Sequence, residues 1–188
     1  DRERDPRAAE AEREDGAPAL EVRRRVRASA LVDRETGLPN GPALTAALAD
    51  LKGSKAILAA AGFDRWDHIR DVIGTEALVE LVLEASVRIE NAIGQPVYRV
   101  APDTLAWVAS EDCASEPDLA PLFREPVQTR EGPIDLHLTV GMDGERVGDS
   151  VQSKIERALA AIGMARSAGQ DCQWYQGTDP LVRRQLSL

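Results

Sequence analysis

Residues 55–61 read KAILAAA, a short apolar run that lies between Gly53 and Gly62. An apolar run of this length, bounded by glycines, is typical of a strand whose two faces are both covered, since a half-exposed strand would alternate apolar with polar residues. We therefore predict that residues 55–61 form the central strand of a sheet that helices cover.

The segments around this strand show helical and extended periodicities in turn. Thr75 is a predicted N-cap, and Gly94 and Gly169 are predicted helix ends. The predicted helices are 42–51, 64–73, 75–93 and 150–168; the predicted strands are the hairpin 98–107 (YRVAPDTLAW), 125–129, 134–141 and 172–175.

Because helices and strands are interleaved and a hairpin lies in the middle, this order favours an α/β (α+β) sandwich, a mixed central β-sheet flanked by helices. The hairpin turn Ala101-Pro102-Asp103-Thr104 has good type I turn chemistry, with Pro at the second position and Asp at the third. On these residues alone, the hairpin needs no ligand to be stable.

Composition narrows the class of protein. The 188 residues are 43% hydrophobic and carry a formal net charge of -9, which argues against nucleic acid as a partner. The sequence contains no apolar run of the roughly 18 to 20 residues that span a bilayer, so we expect no membrane contact.

Cys113 and Cys172 show neither zinc-site spacing nor a disulfide framework, and a reducing cytoplasm is expected.

The N-terminal residues differ from the rest of the chain in their pattern of charged and apolar side chains. Residues 1–17 alternate Arg with acidic residues and are predicted to be a charged linker or a frayed helix. Residues 18–32 carry a narrow apolar stripe at Val22, Val26 and Ala30, which predicts an amphipathic helix. Such a stripe packs either on the domain behind it or on a second copy of the chain, and both alternatives stay open. The first residue is Asp1, so we expect the chain to be a segment of a longer polypeptide.

Three stretches resemble one known family in the right order. Residues 33–40 (DRETGLPN) resemble its D-x-L-T-G-L-x-N motif, with Glu35 in place of the Leu and Gly41 in place of the Arg that follows. Residues 57–74 resemble D-x-D-x-F-K-x-I-N-D-x-x-G, and residues 151–170 resemble A-D-x-A-L-Y-x-A-K-x-x-G. On these matches, residues 31–176 resemble the GGDEF, or diguanylate cyclase, domain of bacterial cyclic-di-GMP signalling. The resemblance implies a nucleotidyl-cyclase-like fold over 33–176, preceded by a signalling helix.

The signature of the family is altered in this chain. Where the family has R-x-G-G-D-E-F, the sequence has Ala101, Pro102, Asp103, Thr104 and Leu105. In the family, one Asp at the end of the first strand and one hairpin acid hold magnesium. The first of these positions is Gly62, and the essential Glu of the hairpin is Thr104, so the resemblance implies a lost metal ligand and no metal site.

The family's nucleotide contacts are altered as well. Its guanine-binding Asn and Asp match Arg70 and Val79, and its phosphate-facing Lys matches Asp67, a reversal of charge. Residues that could still touch a nucleotide are Asp103, Asp64 and Arg166, the last of which keeps the positive charge of the family's final-helix Lys. The family's inhibitory motif R-x-x-D matches Ala92 and Gln95, which implies that this site is missing too.

Several residues have simpler interpretations. Asp64 and Asp71 lie at the start of a predicted helix, where a capping role is the more common one. Trp66 is predicted to be a core residue. His68 and His137 have no second ligand at helical or strand spacing, so each is expected to be a surface or hydrogen-bonded histidine.

These observations lead to one expected function and two alternatives. We expect a catalytically inactive GGDEF domain that needs no cofactor and serves as a regulatory or dimerising module. Residues 177–188 are similar to the linker that enters an EAL phosphodiesterase domain in tandem proteins, so the expected partners are an upstream sensor, a downstream EAL domain and a second copy. The alternatives are an allosteric domain that binds GTP without turnover, and a cyclase with residual activity, which would need GTP and magnesium.

Overall fold

The computed structural model describes residues 29–51, 56–109, 117–144 and 150–176. The predicted linker 1–17, the tail 177–188, Cys113 and all but the last residues of the predicted helix 18–32 lie outside this part of the chain. Helices and strands are interleaved within the described residues, with one run of two strands and one of three. In chain order they are α1 (Gly41–Asp50), β1 (Ile57–Phe63), α2 (Trp66–Ile93), β2 (Tyr98–Ala101), β3 (Thr104–Ala109), a 3₁₀ helix (Ala120–Phe123), β4 (Val127–Thr129), β5 (Gly132–Ile134), β6 (Leu138–Asp143), α3 (Val151–Ala168) and β7 (Cys172–Trp174).

The main sheet has five strands in the order β2-β3-β1-β6-β7. β1 lies in the middle and pairs antiparallel with both β3 and β6, while β7 pairs parallel with β6. Every residue of β1 is buried, because it has a strand on each side and a helical layer on each face. The prediction of a central strand in a mixed sheet flanked by helices is confirmed, although the strand runs to Phe63, beyond the predicted end at residue 61.

The two faces of the sheet form two apolar clusters. One face packs against α2, with Phe63, Leu81, Ile89 and Trp107 among its buried side chains. The other packs against α1 and α3 and includes Leu44, Leu58 and Ile162. With few aromatic residues in the chain, small residues allow the layers to approach closely, and the alanines of β1 alternate between the two faces.

The helix ends follow local sequence chemistry. Asn40 caps α1 by accepting a hydrogen bond from the backbone of Ala43, and Ser150 caps α3 in the same way from Ser153. Gly94 ends α2 and Gly169 ends α3, both in the left-handed conformation that glycine adopts without strain. The predicted ends at Gly94 and Gly169 are therefore confirmed.

The two predicted helices 64–73 and 75–93 form a single element, α2. Gly74 interrupts it with φ of 73° and ψ of 174°, a conformation that is open almost only to glycine. The predicted break at Gly74 is thus present as a kink inside one continuous helical element.

The residue before α2 has a left-handed backbone conformation. Arg65 precedes the helix with φ of 54° and ψ of 33°, and its side chain makes no capping hydrogen bond. Trp66 follows, half-buried, and packs on the core beside Phe63, with ring centroids 5.4 Å apart. The prediction that Trp66 contributes to the core is confirmed.

The predicted strand 134–141 is wrong as a single element. Ile134 ends β5, which pairs with β4 in a separate two-stranded hairpin, and the chain then leaves that hairpin before β6 begins at Leu138. The alternating pattern of IDLHLTVG continues across this change of partner, so periodicity could not locate it. The predicted strand 125–129 is shorter, at Val127–Thr129, and the last strand lies at Cys172–Trp174.

The longest helix of the described residues is α2, with 28 residues, and charged side chains occur along most of its length. Among the described residues, none of the helices combines the length and the hydropathy that crossing a bilayer requires.

Candidate functional site

Three strands bring the candidate site together at one end of the sheet. Gly62, near the end of β1, pairs with Thr104 of β3 on one side and with Thr139 of β6 on the other. The backbone N–H of Phe63 donates to the carbonyl of Asp103 at 2.9 Å. The predicted positions Gly62 and Asp103 are therefore neighbours, as the resemblance implied.

The hairpin turn lies beside this strand end. Pro102 is exposed and Asp103 is half-buried, while Thr104 and Leu105 are buried. The Thr104 hydroxyl donates to the Asp103 carboxylate at 3.1 Å. Asp103 thus supplies the turn's one carboxylate and already accepts a hydrogen bond from the residue that follows it.

Arg99 ties the hairpin to the loop of residues 33–40. Its guanidinium is buried and donates to Asp33 at 2.7 Å, to Glu35 at 2.8 Å and to the carbonyl of Pro102 at 3.1 Å. Burial raises the pKa of Asp33, but hydrogen bonds from Thr36 and Arg99 outweigh burial and hold that pKa below its ordinary value of 3.8. Glu35, which replaces the Leu of the motif, therefore gives Arg99 a second carboxylate.

Arg166 of α3 fills the space beside Gly62. A Cβ atom added to Gly62 would lie 2.8 Å from one terminal nitrogen of the Arg166 guanidinium and 3.1 Å from a methyl group of Ile162. The guanidinium donates to the carbonyl of Phe63 at 3.0 Å and to Asp64 at 2.7 Å. Any side chain at position 62 would thus have to displace Arg166.

Asp64 is the centre of a hydrogen-bonded cluster. Its carboxylate lies 2.6 Å from Nδ1 of His137, accepts from the Thr139 hydroxyl at 2.9 Å and accepts from Arg166. Burial raises the pKa of Asp64, but the hydrogen bonds from His137, Arg166 and Thr139 outweigh burial and hold that pKa below 3.8. The cluster joins β1, β6 and α3 through one carboxylate.

The prediction that Asp64 caps the helix is wrong. The residue at the capping position of α2 is Arg65, and Asp64 instead contacts β6 and α3. Asp71 is not a cap either, since it lies inside the first turns of α2, where it accepts from Arg70 at 3.3 Å. The capping prediction fails because the partners of Asp64 come from elements that are distant in sequence.

The cluster gives a pH-dependent prediction for Asp64→Asn. Since the folded-state pKa of Asp64 is below its ordinary value, the stability from its charge is fully present above pH 3.8 and is lost as pH falls through the folded pKa. We expect the variant to lose about 2 kcal/mol of unfolding free energy at pH 7. Urea denaturation at pH 7 and at about pH 3 should show this difference shrink in acid. A difference that is equal at both pH values would contradict the assignment.

The predicted nucleotide-contacting positions on α2 are Arg70 and Asp67, which form an exposed ion pair, and Val79, which is half-buried. Arg70 pairs with Asp67 at 3.1 Å as well as with Asp71, so its guanidinium is occupied within the helix. None of the predicted α2 positions joins the cluster around Asp64. Val79 is half-buried, whereas Ala92, Gln95 and His68 are exposed.

The residues at the strand end do not fit a magnesium site. Magnesium prefers oxygen ligands in octahedral geometry and is usually held by one or two carboxylates together with substrate phosphates and water. Here Asp103 lies near the end of β1. The space that a side chain at Gly62 would need holds the positively charged guanidinium of Arg166. Across the described part of the chain, no group of three His, Cys, Asp or Glu side chains is placed to hold a metal ion.

Three contributors to this site have partners that sequence reasoning does not identify: His137, Thr139 and Arg99. His137 is hydrogen-bonded, one of the two states that the sequence predicts for it, but its partner Asp64 lies 73 positions away. Arg99 lies 66 positions from Asp33, so no local pattern links them. The Arg at the start of the R-x-G-G-D-E-F match is the one available signal for Arg99.

Comparisons with known proteins agree on the fold. No protein-family model and no curated protein sequence matches the chain. Among solved structures, it is similar to the coiled coil and GGDEF domain of DgcB from Caulobacter crescentus, crystallised with c-di-GMP (TM-score 0.67, 19% identity, 89% of this chain and 99% of that chain).

Two further structures from Pseudomonas aeruginosa give the same result. One is the diguanylate cyclase SiaD in complex with its activator SiaC (TM-score 0.64, 18% identity, 90% of this chain and 71% of that chain). The other is the GGDEF domain of FimX (TM-score 0.63, 15% identity, 77% of this chain and 98% of that chain). The chain therefore has the fold of GGDEF domains, as the sequence resemblance implied.

Proposed function

We propose that this chain, which has the fold of a GGDEF domain, is a catalytically silent member of that fold that acts as a regulatory module in bacterial cyclic-di-GMP signalling. The observation that carries the proposal is the position of Arg166. Its guanidinium lies against Gly62, at the place where the family pattern has a magnesium-binding Asp.

The arrangement of charge supports the loss of catalysis. Arg166 donates to the carboxylate of Asp64 and to the carbonyl of Phe63. These oxygen atoms at the end of β1 are therefore already bound by the positively charged guanidinium. A magnesium ion in the same place would be repelled by the guanidinium and would find Asp103 as its one hairpin carboxylate. Thr104, in the position of the essential Glu, is buried and neutral. These residues therefore support no catalytic step through GTP and magnesium.

The contacts of the loop 33–40 support a conformational role. The Asn40 side chain donates to the carbonyls of Ala30 and Val32, and the backbone N–H of Arg99 donates to the carbonyl of Pro39 at 2.7 Å. A movement of the segment before residue 33 would thus be transmitted to the hairpin through direct hydrogen bonds. In our proposal this movement comes from an upstream sensor, and the domain passes it to a second copy or to a downstream EAL domain in the cytoplasm.

An assay with GTP and magnesium tests catalytic silence. We expect no cyclic-di-GMP, since loss of the metal ligand at Gly62 and of the acid at Thr104 each typically costs about 10²-fold or more in rate. The 188-residue chain should be assayed chromatographically at high protein concentration, beside an active diguanylate cyclase. Product that disappears in Asp103→Ala would overturn the proposal in favour of residual cyclase activity.

Calorimetry separates catalysis from binding in the same samples. We expect no saturable heat when GTP is added with magnesium, because Arg70 and Val79 stand in place of the family's guanine-binding Asn and Asp, and the negative Asp67 stands in place of its phosphate-facing Lys. Saturable binding at micromolar concentrations without product would instead favour an allosteric domain that binds GTP. The assay and the calorimetry together distinguish all three functions.

A further inference from the structure

A cavity of about 510 Å³ lies at the β6–β7 edge of the sheet, on the face that α2 covers. Leu138 and Val140 of β6 line it from the sheet, and Leu119 and Phe123 line it from the 3₁₀ helix and the residue before it. Among the described residues, the helices on this face are α2 and this short 3₁₀ helix. The fold therefore leaves a recess, lined by both apolar and polar residues, between a sheet face and a short helix.

The size and lining of the recess suit a small molecule. Ligand sites are typically about 300 to 1,000 Å³, mostly apolar, with a few polar groups that set orientation. The polar groups here include the carboxylates of Asp118 and Asp171, and the described residues that line the recess include no Lys or Arg. An anionic ligand would be repelled by these carboxylates, whereas a cation would be attracted.

We propose that this cavity binds a small organic cation with an apolar body, of the arylalkylamine class. The ammonium group lies at Asp171, whose side chain is 75% exposed, and the apolar part packs on Phe123, Ala120 and Pro117, which line the cavity and are not buried. This inference does not depend on catalytic silence, since the residues of the catalytic signature lie outside the lining of the cavity.

His137 connects the cavity rim to the cluster around Asp64. Its Nε2 lies 3.4 Å from the Asp171 carboxylate, while its Nδ1 lies 2.6 Å from Asp64. A cation bound at Asp171 would therefore lie beside a ring whose other nitrogen contacts the candidate site. The ring signals of His137 should report binding.

The test uses two probes that share a phenylethyl group and carry opposite charges, phenethylamine and 3-phenylpropionate. Each is titrated to about 10 mM, the range of weak small-molecule binding, into the ¹⁵N-labelled 188-residue chain, and NMR shifts are followed. We expect saturable shifts around Leu138, Val140 and His137 with the amine, and binding at least about fivefold weaker with the carboxylate. Absence of saturable shifts, or equal binding of both probes, would overturn the proposal.

A pair of matched variants tests the position of the ammonium group. Asp171→Asn should weaken amine binding about fivefold, the effect of losing one exposed ion pair. Asp67→Asn removes an equal charge from a side chain that is 82% exposed and does not line the cavity, so it should leave binding unchanged. Equal affinities of the two variants would show that Asp171 does not hold the ammonium group and would overturn the assignment.

Discussion

Replacing Gly141 by alanine is expected to destabilise the domain by about 3 kcal/mol or more, since overpacking against a rigid backbone is among the costliest core changes. A Cβ atom at Gly141 would overlap the carbonyl oxygen of Ala158 and lie 2.6 Å from the backbone nitrogen of Ile162. Both atoms belong to the backbone of α3, so the whole helix would have to move away from β6. Urea denaturation followed by circular dichroism measures the loss.

Gly163→Ala is the matched control for this change. Gly163 lies in α3, and an added Cβ there would meet no atom of another element within 4 Å. Alanine favours helix over glycine by about 1 kcal/mol, so this variant should be as stable as the parent chain or more stable. Equal effects at the two positions would show that the contact between α3 and β6 is not as close as described.

Replacing Arg157 by alanine is expected to cost about 3 to 5 kcal/mol, the typical effect of leaving a buried charge without its partner. The Asp143 carboxylate is 1% exposed, and Arg157 contacts both of its oxygens, at 3.0 Å from Nε and 2.8 Å from a terminal guanidinium nitrogen. Arg157→Lys should fall between the parent and the alanine variant, because an ammonium group cannot make the two-pronged contact. Chemical denaturation at pH 7 measures all three proteins.

Two further variants distinguish the effect of the unpaired buried charge on stability from a general disruption of α3. Adding Asp143→Asn to Arg157→Ala should recover part of the loss, because the uncompensated carboxylate is then gone. Arg70→Ala removes a side chain that is 51% exposed, so it should change the unfolding free energy by less than about 0.5 kcal/mol. A double variant less stable than Arg157→Ala alone would contradict the explanation.

Much of the fold can be predicted because its signals are local. The apolar run of β1, the hairpin at residues 98–107 and the glycine ends of α2 and α3 each depend on neighbours in sequence. The strand predicted at 134–141 is wrong because the chain changes its pairing partner after Ile134 without a change in its alternating pattern. Strand pairing depends on residues that are distant in sequence, and the periodicity of one segment carries no information about them.

The sequence predicts where the candidate site lies better than it predicts the contacts that its side chains make. The family resemblance places Gly62, Asp103, Asp64 and Arg166 in one region, and the structure brings them together. It does not indicate that Arg166 lies in the space left by Gly62, because Arg166 is 102 positions from Asp64 and 103 from Phe63 along the chain. The helix-cap interpretation of Asp64 fails for the same reason, since its partners on β6 and α3 are distant in sequence.

The central position of β1 has a consequence for how the protein is made. β1 is the first strand in the described chain, yet 75 positions separate its last residue, Phe63, from Leu138, where its partner β6 begins. At a synthesis rate of about 5 to 20 residues per second, this fully apolar strand has at least one edge unpaired for roughly 4 to 15 seconds during synthesis. Unpaired apolar edges attract other chains, so the interval before β6 emerges is when a nascent molecule is most open to aggregation and to chaperone binding.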